Sequence, residues 1–264
     1  MRVALIGAGR MGAALIKGLI NSGYKPDQVG ASDANRKRVR KLKEEYKIKT
    51  FSSNLEAVEE ADVIVLAVKP QQIPDVLAEI KESVNPAQTV ISIAAGVSIS
   101  TLEHGLGEGV PVIRVMPNSP ALVGAGIAAV SPGNHAGERD LKVAREIFSG
   151  VGKVVVVEEK FQNLITALSG SGPAYFYLFV EALTEAAEVA GLSLETSLEL
   201  VTETMLGAAR MLIETGQLPS KLIDMVASPG GTTVAALKVF EKSDFKSIVR
   251  EAVKAALERA KELG

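Results

Sequence analysis

The feature that most constrains the fold of this chain is a glycine-rich turn close to its first residue. Residues 2–6 form a short apolar run typical of a buried strand, and the sequence GAGRMG follows at residues 7–12. An apolar helical pattern begins directly after it, and strand, GxGxxG and helix in this order form a dinucleotide-binding fingerprint. In such a fingerprint Gly7 makes the tight turn, Gly9 admits the pyrophosphate and Gly12 lets the helix pack on the strand. The alternative is a glycine-rich turn that binds no ligand.

The residues after the second predicted strand, 28–32, bear on which dinucleotide is bound. Asp33 lies 21 residues after Gly12, where an acid binds the ribose hydroxyls in NAD proteins. Ser32, Arg36 and the neighbouring basic residues instead suit a 2′-phosphate. The basic run is also what a solvated helix start would show. The choice between NAD and NADP therefore stays open at this point.

Further apolar runs alternate with helical patterns as far as residue 157, which predicts a doubly wound, mostly parallel, Rossmann-like sheet. Ligands of such sheets bind beyond the carboxyl ends of the strands. Lys69, Gly96 and Asn118 follow three of these ends and are candidates to contact the cofactor. The predicted strands are residues 63–68, 89–93, 110–115, 127–130 and 153–157, with helices such as 71–83 and 139–151 between them.

The pattern becomes purely helical after residue 157, so we predict a dinucleotide-binding half at 1–157 and an all-helical dimerisation half at 158–264. A helix at 161–168 is interrupted by GSGP, and Pro173 suits the start of the next helix. That helix is apolar on almost every side, which predicts a buried position in a subunit interface. Ser193 is expected to cap a helix that ends at Gly216, and a last helix covers 245–263.

A second glycine-rich turn, SPGGTT at residues 228–233, lies between two helix-like segments. Pro229 keeps the preceding residue out of the helical region, while Gly230 and Gly231 permit a positive φ. Thr232 or Thr233 is expected to cap the following helix. The free N–H groups of such a turn, with the positive end of a helix dipole, would receive a small anion such as a carboxylate. The alternative is a plain helix connection with a threonine cap.

Composition excludes several function classes. The net charge of −2, with both signs interspersed, gives no sign of a nucleic-acid surface, and no apolar run reaches the roughly 18 residues of a membrane helix. The chain has no cysteine, hence no disulfide, thiolate nucleophile or cysteine-based metal site. Its two histidines, His104 and His135, lie in loop-like surroundings without metal-ligand spacing. We therefore expect a cytoplasmic protein without a metal, whose chemistry uses an organic cofactor.

Over essentially its whole length the chain resembles the pyrroline-5-carboxylate reductase family. The most specific match is residues 219–241, which include the SPGGTT turn; AVKP at 67–70, AAGV at 94–97, RVMPN at 114–118 and LSGSGPAY at 168–175 also match. The resemblance implies reduction of 1-pyrroline-5-carboxylate to L-proline, the last step of proline synthesis. It implies NADPH as hydride donor with NADH also used, and homodimers formed through the helical half, commonly assembled into decamers. Asp33 departs from the family's leaning towards NADPH.

The resemblance also implies roles for individual residues. The SPGGTT turn would bind the substrate carboxylate, with the hydroxyl of Thr233 on the ring nitrogen as the catalytic contact. The predicted substrate-binding residues are Ser228, Gly230, Gly231, Thr232 and Thr233. The predicted cofactor-binding residues are Ile6, Gly7, Ala8, Gly9, Arg10, Met11 and Gly12 at the pyrophosphate, Ser32, Arg36 and Asn54 at the adenosine end, and Ala67, Val68, Lys69, Pro70, Ala95, Gly96 and Asn118 along the remaining loops.

Two other functions fit part of this pattern. A β-hydroxyacid dehydrogenase also joins a dinucleotide-binding half to a helical tail, but that family relies on a lysine in its central helix, and residues 176–188 contain none. A redox sensor that binds NAD(P) without catalysis would need the fingerprint but no substrate turn.

Overall fold

A computed structural model describes residues 1–262 of the chain, which divide into two compact units. Residues Ala174–Ala255 form the second unit, and the rest of the described chain forms the first. The first unit is built on eight strands: β1 (Val3–Ile6), β2 (Val29–Ser32), β3 (Lys49–Thr50), β4 (Val63–Leu66), β5 (Thr89–Ser92), β6 (Val112–Met116), β7 (Gly126–Pro132) and β8 (Gly152–Val156).

Twelve α-helices are described, together with short 3-10 turns and a π-helical turn at Thr166–Gly170. Those that flank or follow the sheet are α1 (Arg10–Asn21), α2 (Arg36–Tyr46), α3 (Asn54–Glu59), α4 (Ile73–Ile80), α5 (Ile99–Leu106), α6 (Glu138–Ser149) and α7 (Gln162–Ile165). The later helices are α8 (Gly172–Val189), α9 (Leu194–Thr215), α10 (Pro219–Val226), α11 (Thr232–Lys242) and α12 (Phe245–Glu262). Residue 263, where the predicted last helix ended, lies outside the described residues.

The sheet has the order β3-β2-β1-β4-β5-β6-β7-β8. Strands β1 to β6 run parallel, so the predicted doubly wound sheet is confirmed. The strand order reverses at β1, which has β2 on one side and β4 on the other, and such a switch point is where open α/β sheets bind their ligands. The GxGxxG turn begins directly after β1, at this switch point.

Two features of the sheet were not predicted from the sequence. Strand β3 was not predicted, because it has only two residues and no apolar run. Strand β7 pairs antiparallel with β6, since the nine residues between them hold only a 3-10 turn and are too few for a parallel crossover. Smaller errors concern strand ends: residues 67–68 lie beyond β4, and β6 begins two residues later than predicted.

Alternation along β1 distributes the core over both faces of the sheet. Leu5 packs into an apolar cluster with Leu15 and Phe148, which α1 and α6 contribute. Ile6, the next residue, packs into a second cluster with Leu102 and other residues of α3 to α5. Both faces are therefore covered, which explains why the central strands read as continuous apolar runs.

The second unit is helical, as predicted. The side chain of Ser193 accepts a hydrogen bond from Thr196 N and caps α9, while Gly216 ends that helix in a left-handed conformation. Phe179, Phe240 and Phe245 pack against one another with ring centroids 5.4–6.4 Å apart. Helix α8 exposes a run of large apolar side chains in the isolated chain: Phe176, Tyr177 and Leu178 are each more than 60% exposed. In the described part of the chain, no helix combines the length and apolar character needed to cross a bilayer.

The division into compact units falls at residues 173 and 174, whereas the sequence pattern changes at residue 157. Residues 158–173 are helical or turn-like but stay with the first unit, because Gln162 is fully buried there and donates hydrogen bonds to Ala129 O and Ser131 Oγ of β7. The domain boundary after residue 157 stays a prediction.

Candidate active site

The loops that carry most of the predicted cofactor residues start side by side in the first unit. Ile6 pairs with Leu66, Leu66 with Ser92, and Ser92 with Arg114, so β1, β4, β5 and β6 end at the same edge of the sheet. The loops that leave this edge contain the fingerprint at 7–12, the segment 67–70, the segment 94–96 and Asn118. Strand pairing thus brings together four loops that are far apart in the sequence.

The three fingerprint glycines are needed for different reasons. Gly7 has a φ of +105°, and a Cβ there would lie 2.5 Å from the carbonyl oxygen of Ala67. A Cβ on Gly12 would overlap the carbonyl oxygen of Gly7, so this glycine lets α1 pack against the turn. A Cβ on Gly9 would meet no atom within 4 Å. The side of the turn at Gly9 is therefore open, next to first-turn N–H groups of α1 that have no acceptor within the helix.

Asp33 lies against the fingerprint. Its Oδ2 accepts a hydrogen bond from Ala8 N at 2.7 Å, and its Oδ1 accepts one from Asn35 N at 2.7 Å. Arg38 adds an ion pair to the same carboxylate at 3.6 Å. The sequence pattern offered Asp33 as a free ribose acid, but in the structure its carboxylate braces the turn that binds the pyrophosphate in such folds.

Arg36 begins α2, and its guanidinium donates to the carbonyl oxygens of Phe51 and Ser52. The carboxylate of Glu56 accepts hydrogen bonds from the hydroxyl and the N–H of Ser52. These bonds, with a smaller effect of Arg36, hold the pKa of Glu56 below its ordinary value. The cationic side chain that was expected at a 2′-phosphate therefore also ties the loop after β3 to α2.

Ser32 and Asn54, the other predicted adenosine residues, are in direct contact. The Ser32 hydroxyl is buried and lies 2.7 Å from Asn54 Oδ1, and Asn54 Nδ2 lies 2.7 Å from Glu79 Oε2. Glu79, on α4, was missed from the sequence because it belongs to no motif and lies 25 residues from Asn54. Only the packing of α3 beside α4 brings it to this position.

The remaining loop residues differ in their exposure and in their hydrogen bonds. Gly96 has a φ of +82°, which favours glycine at this position. Lys69 is exposed and directly precedes the 3-10 turn that begins at Pro70, while Ala67, Val68 and Ala95 are half-buried. Asn118 Oδ1 accepts a hydrogen bond from Ile127 N at 2.9 Å, so its carbonyl oxygen holds the start of β7.

The SPGGTT turn belongs to the second unit. Gly231 N donates to Ser228 O at 2.9 Å, and Gly230 takes a left-handed φ of +73°. The predicted threonine cap is wrong: Gly231, in an extended conformation, is the N-cap of α11, and no side chain caps this helix. Thr232 and Thr233 are already the first two helical residues, so neither hydroxyl occupies the cap position. The turn therefore opens an 11-residue helix whose first N–H groups have no intrahelical partners.

A buried polar network that the sequence did not indicate lies beside the loop after β5. Arg114 in β6 donates to Glu159 Oε1 at 3.1 Å and to Asn163 Oδ1 at 3.0 Å. Glu159 Oε1 also accepts from Ile99 N at 2.6 Å, at the start of α5. The network thus ties the chain segment after β8 to the helix that follows the Gly96 loop.

The histidines take no part in these arrangements. His104 lies in the last turn of α5 rather than in a loop, and both His104 and His135 are exposed on one surface cleft. Across residues 1–262, no three His, Asp or Glu side chains are grouped so as to hold a metal ion.

Comparison with known proteins matches both halves of the chain. Residues 158–263 match the family model described as pyrroline-5-carboxylate reductase dimerisation, and residues 2–96 match the one described as NADP oxidoreductase, coenzyme F420-dependent. The pyrroline-5-carboxylate reductase of Methanosarcina acetivorans is 42% identical over 264 residues, which cover 100% of this chain and 98% of that protein. The Pseudomonas aeruginosa reductase is 41% identical over 263 residues, covering 99% and 96%. The chain belongs to the pyrroline-5-carboxylate reductase family.

Solved structures of the family have the same fold. The reductase of Coxiella burnetii superposes with a TM-score of 0.94 at 40% identity, covering 100% of this chain and 98% of that one. The Plasmodium falciparum reductase, solved with NADP bound, gives a TM-score of 0.91 at 35% identity with the same coverage.

Membership of the pyrroline-5-carboxylate reductase family decides the general function. The chain is an oxidoreductase of proline synthesis that uses NAD(P)H, and its helical half is a dimerisation module, so the protein forms homo-oligomers. The exposed apolar side chains of α8 are in keeping with that module. The β-hydroxyacid dehydrogenase and redox-sensor alternatives are thereby set aside.

Proposed function

We propose that the chain transfers a hydride from NADPH to the C=N carbon of 1-pyrroline-5-carboxylate and so produces L-proline, with NADH as a second donor. The observation that carries this proposal is the SPGGTT turn: a left-handed Gly230 and an extended Gly231 lead into α11, whose first-turn N–H groups have no acceptor within the helix. A turn of this kind suits a carboxylate, which the substrate carries. Support for the cofactor comes from the open fingerprint and from the NADP bound to the Plasmodium falciparum relative.

The cofactor is proposed to bind along the carboxyl edge of the sheet. Its pyrophosphate lies over Gly9 and the first turn of α1, where N–H groups are free and a side chain is absent. Ser32, Arg36 and Asn54 serve the adenosine end. The segments 67–70 and 95–96, with Asn118, serve the rest of the cofactor. All the cofactor-binding residues predicted from the sequence are included in this proposal.

The substrate is proposed to bind at the SPGGTT turn through backbone N–H groups. When the hydride reaches the ring carbon, the electron pair of the C=N bond moves to the nitrogen, which takes a proton from water. The hydroxyl of Thr233 contacts this nitrogen; because a hydroxyl both donates and accepts, it serves the nitrogen before and after the transfer. The cofactor supplies the hydride, and the chain's residues position the reactants.

The assembly and the domain boundary complete the proposal. We propose that the dimers assemble further into decamers in the cytoplasm, and that the dimerisation half begins at residue 158. Light scattering of the purified protein distinguishes a dimer from a decamer, and a monomeric mass at micromolar concentration would contradict both.

One assay tests the proposed reaction. The purified chain is mixed with NADPH and 1-pyrroline-5-carboxylate, the absorbance of the reduced nicotinamide is followed, and proline is measured as the product. We expect consumption of NADPH with an equal amount of proline formed. Turnover of 2-hydroxy acids with NAD(P)⁺ but not of the imine would instead indicate a dehydrogenase, and NADPH binding without any turnover would indicate a sensor.

A further inference from the structure

Three side chains at the proposed adenosine end form a hydrogen-bonded chain with a defined direction. Ser32, at the end of β2, is 2% exposed, and its hydroxyl donates to Asn54 Oδ1 at 2.7 Å. Asn54 Nδ2 in turn donates to Glu79 Oε2 at 2.7 Å. Glu79 lies near the end of α4 and is exposed, while Asn54 is half-buried between the other two.

The carboxylate of Glu79 sets the direction of this chain. A carboxylate has no proton to donate, so the nitrogen of the Asn54 amide must face Glu79 and the oxygen must face Ser32. A serine hydroxyl has a single proton, and Ser32 gives it to Asn54 Oδ1. Only the lone pairs of Ser32 Oγ remain for a ligand.

An acceptor at this position distinguishes the two cofactors. The ribose 2′-hydroxyl of NADH can donate to Ser32 Oγ, whereas the 2′-phosphate of NADPH only accepts hydrogen bonds. The two nearby arginines are not reserved for the phosphate: Arg36 also donates to the carbonyl oxygens of Phe51 and Ser52, and Arg38 also pairs with Asp33. The carboxylate of Asp33 accepts hydrogen bonds from Ala8 N and Asn35 N, so it is shared with the fingerprint turn.

We propose that Glu79 is a specificity-determining residue that shifts cofactor binding towards NADH by holding Ser32 as an acceptor through Asn54. The inference rests on the proposed function, in which Ser32 and Asn54 serve the adenosine end. Glu79 bonds to Asn54 at the proposed adenosine end, so it acts on the choice of cofactor rather than on the hydride step.

The test compares a variant of Glu79 with a matched variant of Glu82. Glu79→Ala frees the Asn54 amide to turn and Ser32 to donate, whereas Glu82→Ala removes the same charge from an exposed position three residues later. Dissociation constants for NADP⁺ and NAD⁺ are measured by calorimetry. We expect the ratio of the NAD⁺ constant to the NADP⁺ constant to rise about 10-fold in Glu79→Ala, the effect of one hydrogen bond to a charged group. The ratio in Glu82→Ala should stay at the parent value.

A charge reversal provides the second arm. Glu79→Lys places a group that only donates beside Asn54, which turns the amide oxygen towards it and leaves Ser32 Oγ free to donate to a phosphate. The ratio should then rise more than in Glu79→Ala, and more than in Glu82→Lys, which makes the same change of charge. Because Glu79 is exposed, melting temperatures of all four variants should match the parent.

Two results would overturn the inference. The first is a ratio of dissociation constants that stays at the parent value in the Glu79 variants. The second is an equal change of this ratio in the Glu79 and Glu82 variants, which would show only a general effect of the charge. Failure of the proposed function looks different, since the parent would then bind neither nucleotide or would not reduce the imine. If the parent binds the nucleotides and reduces the imine, and the Glu79 variants keep the parent's ratio of dissociation constants, only the role of Glu79 is refuted.

Discussion

Replacement of Gly9 by valine should weaken cofactor binding about 100-fold without unfolding the protein. Gly9 has φ −71° and ψ −168°, a conformation open to any residue, and its Cβ would meet no atom within 4 Å. The expected cost to folding is about 1 kcal/mol, because valine is a poor N-cap for α1. The added side chain would occupy the space where the pyrophosphate approaches the first turn of α1. Losing two hydrogen bonds to a charged group costs about 3 kcal/mol, which corresponds to roughly 100-fold weaker binding.

Gly12→Ala is the matched control for this prediction. Its Cβ would overlap the carbonyl oxygen of Gly7 and lie 3.6 Å from Ala67 Cβ, so the backbone must shift. Overpacking of this kind costs about 1–3 kcal/mol and should lower the melting temperature by several degrees. Calorimetry with NADP⁺ and thermal melting separate the two effects: Gly9→Val loses binding with little loss of stability, whereas Gly12→Ala lowers the melting temperature and, by shifting the turn, weakens binding as well. If Gly9→Val bound NADP⁺ like the parent, the fingerprint would not hold the pyrophosphate.

Three further predictions concern the substrate turn and the buried network. Gly231→Val should raise the KM for pyrroline-5-carboxylate but leave NADP⁺ affinity unchanged, because its Cβ would lie 2.7 Å from Ser228 Oγ and distort the turn. An unchanged KM would show that the turn does not bind the substrate. Thr233→Ala should lower kcat and kcat/KM about 10-fold, and Thr233→Ser should restore the rate. The melting temperature of the alanine variant should stay at the parent value, since Thr233 does not cap the helix. Full activity of the alanine variant would contradict the catalytic role. Glu159→Ala should lower the free energy of unfolding by about 2 kcal/mol, because the buried Arg114 loses its ion pair and keeps only the hydrogen bond to Asn163. Denaturant unfolding measures this cost, and a cost near zero would show that the network is dispensable.

The elements that sequence predicted best are those specified by neighbouring residues. The strand before the fingerprint, the fingerprint turn and α1 were predicted from one apolar run and three glycines that lie close together in the sequence. The Ser193 cap and the Gly216 terminus of α9 were predicted for the same reason. The SPGGTT turn was located correctly, but its cap was misassigned, since Gly231 and not a threonine takes the extended conformation before α11.

Elements that depend on distant partners could not be predicted in this way. Strand β3 exists because Gly30 and Ala31 of β2 offer a partner to Lys49 and Thr50, and no apolar pattern announces it. Asp33 had the spacing of a ribose acid, yet its carboxylate accepts a hydrogen bond from Ala8, 25 residues earlier. No local sequence pattern indicates either contact.

The sequence by itself determined the fold class, the two glycine-rich turns and the family, because periodicity, glycine conformation and specific motifs are properties of short segments. Tertiary structure decided which side chains meet at the carboxyl edge of the sheet and in which direction their hydrogen bonds run. The Ser32–Asn54–Glu79 chain shows the difference, since its members come from β2, α3 and α4 and touch only after the helices pack on the sheet. Sequence motifs identify the residues at a site. Whether a hydroxyl there donates or accepts a hydrogen bond depends on neighbouring side chains that only folding brings close.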